Sequence, residues 1–189
     1  MTGRYPMRHG LQTAVIFPGH KYGLPLDEVT LPQALKQTGY STWMVGKWHL
    51  GHADKKYWPQ NRGFDHFYGF LNADHNNFVP VMYNDHTPVN ASVGNPDYHL
   101  STDMADRAIY WITAQKSISP DRPFMMQWAP GATHAPHHAP KEWADKYKGK
   151  FDQGWDKQRE ATYARQKQLG VIPPECALTP RPKEIPSWD

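Results

Sequence analysis

The stretch "YSTWMVGKWHLG" (Tyr40–Gly51) runs from β-branched and aromatic residues into a lysine, a tryptophan and a histidine, and closes on glycine. Its first part is short, apolar and bounded by Gly39 and Gly46, the pattern of a buried strand. A helix is predicted just before it. In "VTLPQALKQTGY" Thr30 stands at the N-cap, Pro32 in the first turn and Gln33 at the reciprocal capping position, and Gly39 ends the segment. Farther on, "STDMADRAIYWITAQK" puts Met104, Ala105, Ala108, Ile109 and Ile112 on one helical face, with Ser101 or Thr102 as cap. After the turn "SISPDRP", the run "FMMQWAP" reads as a second buried strand. Helices alternating with apolar strands favour an α/β fold with a mostly parallel central sheet flanked by helices.

The remaining segments are less regular. From Gly51 to about Pro96 turn residues and aromatics dominate, so mostly loop is expected, with room for a short helix or strand. "KEWADKYKGKF" and "DKQREATYARQKQLG" are polar helix patterns, the second closed by Gly170 as C-cap, and the proline-rich "VIPPECALTPRPKEIPSWD" is expected to be extended. With no repeat and no Gly/Ser linker, the 189 residues read as one block.

Composition excludes several function classes. The formal charge of +3 is spread through interleaved acidic and basic residues, without the basic block of a nucleic-acid tail. A single cysteine, Cys176, rules out an intramolecular disulfide framework and a cysteine-based zinc site. No apolar run approaches the roughly 20 residues that cross a bilayer. "MTGRYPMRHG" lacks the apolar stretch of a signal peptide, and nothing assigns a compartment. Eight Trp, ten Tyr, eleven His and eighteen Pro describe a loop-rich chain with rings along it, suited to the walls of a polar-ligand pocket or to packing beneath loops.

Two segments carry candidate chemistry. "GKWHLG" would follow the carboxyl end of the first strand, where open α/β sheets bind ligands. In extended chain, Lys47 and His49 project to one side and Trp48 to the other. An ammonium beside an imidazole suits an anion; a solvated lysine and a histidine satisfied by backbone is the competing explanation. "APGATHAPHHAP" (129–140) likewise follows an apolar strand and holds His134, His137 and His138 among prolines. Loops leaving the same sheet edge can converge. A surface histidine cluster is the alternative, since no further ligand has clear zinc spacing.

These residues carry a resemblance. "GYSTWMVGKWHLG" resembles the second signature of the sulfatase family, within the alkaline-phosphatase superfamily. "TGRYPMRHGLQ" resembles the segment following that family's nucleophile motif, and "GLPLDEVTLPQALKQTGY" the approach to the second signature. "RGFDHFYGF" and the segment from "HAPHHAP" to "GVIP" are similar to later parts of arylsulfatase catalytic domains. The resemblance implies an alkaline-phosphatase-like sandwich and hydrolysis of small-molecule sulfate monoesters. It implies that Lys47 binds the sulfate and the nucleophile, that His49 hydrogen-bonds the nucleophile and helps expel sulfate, and that His134, in the H-x-P pattern, contacts the sulfate and assists the leaving oxygen. His137 and His138 fall at no matching position and read as loop or supporting residues.

The resemblance also implies parts that these residues do not match. The family nucleophile is a formylglycine made from Cys or Ser in C/S-x-P-x-R by dedicated machinery. This sequence starts at Met1-Thr2-Gly3-Arg4, just downstream of such a pattern, and Cys176 lacks the following Pro and Arg. The family's divalent cation, usually calcium, is held by two aspartates near the N-terminus and a later Asp-Asn pair. Asp65, Asp74, Asp85 and Asp103 do not match those positions, so no complete metal site is expected. The expectation is that residues 1–189 are an internal piece of a sulfatase catalytic domain, nearly inactive alone. A noncatalytic oxyanion-binding or interaction protein, a phosphonate or phosphate ester hydrolase, and a stand-alone histidine metal module are the alternatives.

Overall fold

The computed structural model describes residues 1–12, 16–17, 19–73 and 75–188. They gather into two compact units, Met1–His138 and Ala139–Asp189. In the first, α1 (Leu31–Lys36) leads into β1 (Ser41–Lys47), followed by β2 (His66–Phe70), β3 (Met82–Asn84), β4 (Thr87–Val89), α2 (Leu100–Ile118) and β5 (Phe124–Ala129). The second holds α3 (Lys141–Asp145) and α4 (Gly154–Gln168). Both fall on the predicted polar helix patterns.

The strand order is β4-β3-β2-β1-β5. β1 lies between β2 and β5 and is parallel to both, while β3 and β4 add antiparallel pairs at one edge. A central strand needs apolar side chains on both faces, which explains the unbroken apolar run in β1. Val45 joins Tyr68, Phe70 and Met82 against Leu100, Met104 and Ala108 of α2. Met44 faces the other way, with Trp48, Trp58, Phe64, Phe67 and Leu71. Burying each large side chain contributes roughly 1.5–3 kcal/mol.

Glycine sets the spacing at the centre. A Cβ on Gly46 would sit 2.0 Å from the Ala129 carbonyl oxygen, and one on Gly69 would sit 2.0 Å from that of Gly46. A side chain is thus excluded at these two positions, where β5, β1 and β2 run side by side. Gly46 lies inside the strand and does not bound it as the sequence pattern suggested.

Two other expectations change. β2 and the β3–β4 hairpin lie within the segment expected to be mostly loop, where Phe67, Tyr68 and Phe70 are nearly fully buried. Helix α2 starts at Leu100, capped by His99 and not by Ser101 or Thr102, because His99 Nδ1 accepts the Ser101 N–H at 3.3 Å. Its buried residues are Leu100, Met104 and Ala108, whereas Ile109 is 61% exposed. The α1 cap forms as predicted: Thr30 accepts from the Gln33 N–H and the Gln33 side chain accepts from the Thr30 N–H. Gly170 follows the C-cap Leu169 of α4.

Candidate active site

Parallel pairing makes β1 and β5 end on the same side. Gly46 lies opposite Ala129, so the segments after both strands leave the sheet from adjacent positions. Lys47 is the last residue of β1, half-buried and paired in register with Phe70. The pairing continues beyond the strand: the Trp48 N–H donates to Phe70 O at 3.0 Å and the His49 N–H to Leu71 O at 3.1 Å. Trp48 turns into the core, where its indole N–H donates to Tyr57 O at 2.9 Å. That burial fixes the backbone on which Lys47 and His49 are carried.

His49 departs from the extended geometry expected of it. Its φ is 55°, in the left-handed region that non-glycine residues seldom occupy. Simple side-to-side alternation therefore ends at Trp48. The His49 ring lies with Nε2 3.2 Å from Ile16 O. A carbonyl oxygen only accepts, so Nε2 carries the proton it donates there.

His134 sits exposed in the loop after β5. Its backbone N–H donates to Gly131 O at 2.9 Å, and Nδ1 lies 2.7 Å from Ala135 O. By the same logic Nδ1 carries a proton and donates it to that carbonyl. His137 is also exposed, whereas His138 is half-buried and tied to the rest of the unit. The Asn77 N–H donates to His138 Nδ1 at 3.4 Å, and His138 O accepts from Asn77 Nδ2 at 3.3 Å and from His99 Nε2 at 3.2 Å. Asn77 and His99 went unnoticed in the sequence. Nothing local distinguishes an asparagine in an apparent loop, or a histidine before a helix, from its neighbours.

Asp65, Asp85 and Asp103, named above against the cation positions, are held by other partners. Asp65 pairs with Lys36 at 2.5 Å and accepts from the Thr42 N–H at 2.9 Å. Burial raises its carboxyl pKa, but Lys36 and Thr42 outweigh burial and hold it below the ordinary value. Asp85 accepts the Phe67 N–H at 2.9 Å, and Asp103 accepts the hydroxyls of Tyr68 and Tyr98 at 2.6 and 2.8 Å. Asp74 lies outside the described residues. Among the described residues no three His, Cys, Asp or Glu side chains converge, so they do not fit a calcium ion. Cys176 lies in the second unit, half-buried, its carbonyl accepting from the Tyr163 hydroxyl.

The sulfatase family model matches residues 1–173. The chain belongs to the sulfatase family. It is 36% identical over 156 residues to arylsulfatase J of Mus musculus, covering 78% of this chain and 26% of that protein. It is 32% identical over 163 residues to N-acetylgalactosamine-6-sulfatase of Homo sapiens, covering 75% of this chain and 30% of that one. The crystal structure of Ps i-CgsB in complex with k-i-k-neocarrahexaose superposes with a TM-score of 0.70 at 25% identity, over 78% of this chain and 36% of that one. This sulfatase chain thus spans between 26% and 36% of the length of these relatives. Its mixed α/β architecture, with a mostly parallel central sheet, is the alkaline-phosphatase-like fold of solved sulfatases. No helix among the described residues is long and apolar enough to cross a membrane.

Proposed function

We propose that these residues form part of the catalytic domain of an enzyme that hydrolyses sulfate monoesters to an alcohol or phenol and inorganic sulfate. The observation that carries this reading is the register of β1 with β5, which starts the Lys47–His49 segment and the His134 loop from neighbouring points on one sheet edge, within a chain of the sulfatase family. Lys47 supplies a fixed positive charge for the sulfate oxygens. In the overall hydrolysis an oxygen from water becomes bonded to sulfur as the bond between sulfur and the ester oxygen breaks, and the ester oxygen keeps the electron pair. His134, with Nδ1 held by a carbonyl, delivers a proton to that oxygen from Nε2. His49, oriented through its Nε2–H to the Ile16 carbonyl, hydrogen-bonds the reacting group and helps expel sulfate.

Membership of the sulfatase family is consistent with formylglycine and a divalent cation, and among the described residues no group of three His, Cys, Asp or Glu fits the cation. The similarity to an N-acetylgalactosamine-6-sulfatase, and to a structure holding k-i-k-neocarrahexaose, supports sugar sulfates as the substrate class.

The test is Lys47→Ala, His49→Ala and His134→Ala, each installed in the full-length enzyme, with release of sulfate measured from aryl and sugar sulfates. Each variant should lose about a hundredfold or more in turnover, the scale for removing a transition-state donor. Normal turnover in any variant removes that residue from the site, and a preference for phosphonate or phosphate esters overturns the sulfatase assignment.

A further inference from the structure

We infer that Asn77, together with His99, is a positioning group that sets where His134 stands, by clamping the far end of the loop that carries it. This deepens the proposed function and rests on the assignment of His134 to the leaving oxygen.

Among the described residues, contacts at both ends anchor the loop. At its start, Ala129 is held by the pairing of β5 with β1, and Gly131 packs so closely that a Cβ there would meet Phe70 Cζ at 3.3 Å. At its end, the His138 carbonyl accepts two donors, Asn77 Nδ2 at 3.3 Å and His99 Nε2 at 3.2 Å. His134 lies between the anchors. With only the first, the exposed loop would hold its far end less firmly, and the imidazole it carries would sample more positions.

The second anchor connects to the rigid part of the unit. Asn77 is 6% exposed, and its backbone carbonyl accepts the Leu100 N–H at 2.8 Å, at the start of α2. Leu100 and Met104 are both almost wholly buried against the sheet. His99 caps the same helix through Nδ1, which fixes Nε2 as the protonated nitrogen facing the His138 carbonyl. Phe78 closes the cluster, its ring 5.4 Å from that of His99 and 5.6 Å from that of His138. The position of α2 on the core is thereby passed through Asn77 and His99 to the loop. Neither residue is placed on the substrate, so both act through His134.

The experiment compares Asn77→Ala, the nearly isosteric Asn77→Asp, and His134→Ala in the full-length enzyme. Backbone amide exchange reads the clamp. Residues 131–138 should exchange about tenfold faster in both Asn77 variants, while β1 amides, which report global folding, stay unchanged. Leaving-group dependence reads the consequence. Misplacing the proton donor should lower kcat/KM by about tenfold to a hundredfold for an alkyl sulfate with a poor leaving group. A nitrophenyl sulfate, whose leaving oxygen needs little protonation, should be much less affected. His134→Ala should steepen the same dependence. Unchanged exchange in residues 131–138 overturns the inference alone, as does faster exchange with wild-type leaving-group dependence in the Asn77 variants. An unchanged dependence in His134→Ala overturns the role of His134 and the inference with it.

Discussion

Tyr68 and Tyr98 share one acceptor, Oδ2 of Asp103, and join a sheet strand, the segment before α2 and α2 itself through a single carboxylate. Both tyrosines are buried, and the Arg107 guanidinium lies 4.4 Å from the centre of the Tyr68 ring. Removing either hydroxyl leaves the ring's packing intact and takes away one hydrogen bond to a charged group. Tyr68→Phe and Tyr98→Phe should each cost roughly 1.5–3 kcal/mol, measured by urea unfolding. Because the two bonds converge on one atom, the double variant should depart from the sum of the singles. Single variants with the wild-type midpoint would show that Asp103 is satisfied equally well without them.

Helix α1 has only six residues, too short to be stable by itself. Its ends and its contacts therefore determine whether it forms. Thr30 accepts the Gln33 N–H and also donates its hydroxyl to Arg62 O at 2.6 Å, fastening the helix start to the turn before β2. Replacing Thr30 by Ala removes the cap and this second bond together. The expected loss is at least about 1 kcal/mol in denaturant unfolding, the usual scale for a threonine cap. Thr30→Ser, which keeps the hydroxyl, should recover most of it. An alanine variant as stable as wild type would mean that packing alone holds α1.

Across the whole molecule, ionisable groups at different depths set stability at the two ends of the pH scale. Burial, and then the hydrogen bond to Asp103, push the Tyr68 and Tyr98 hydroxyls well above the ordinary tyrosine value. They ionise less readily folded than unfolded, so their contribution is full below a pH of about 10 and is lost as pH rises beyond it. Asp65 behaves oppositely. Its pKa is depressed in the fold, so its contribution is present above the ordinary carboxylate range and fades as pH falls through it. Unfolding midpoints followed with pH should fall at both extremes. Tyr68→Phe should flatten the alkaline limb and Asp65→Asn the acid one, and limbs unchanged by these substitutions would assign the pH dependence to other groups.

The sequence by itself determined those elements whose signal is local. Thr30 and Gln33 announce the start of α1, and the apolar run of β1 announces a central strand, because capping and burial act on nearest neighbours along the chain. The run of β5, expected to be buried, forms a strand at the end of the sheet order whose residues are half-buried or exposed. The sequence also carried the family signature around Lys47 and His49. Only the tertiary structure showed that Gly46 lies within β1, where the Ala129 carbonyl leaves no room for a Cβ, and that His49 turns into the left-handed region. Likewise only the fold revealed β2 in a segment rich in turn residues, and the meeting of Asn77 and His99 with His138 across 61 and 39 residues of chain. Such contacts depend on strand register and helix docking, which bring together residues whose local patterns hold no information about each other.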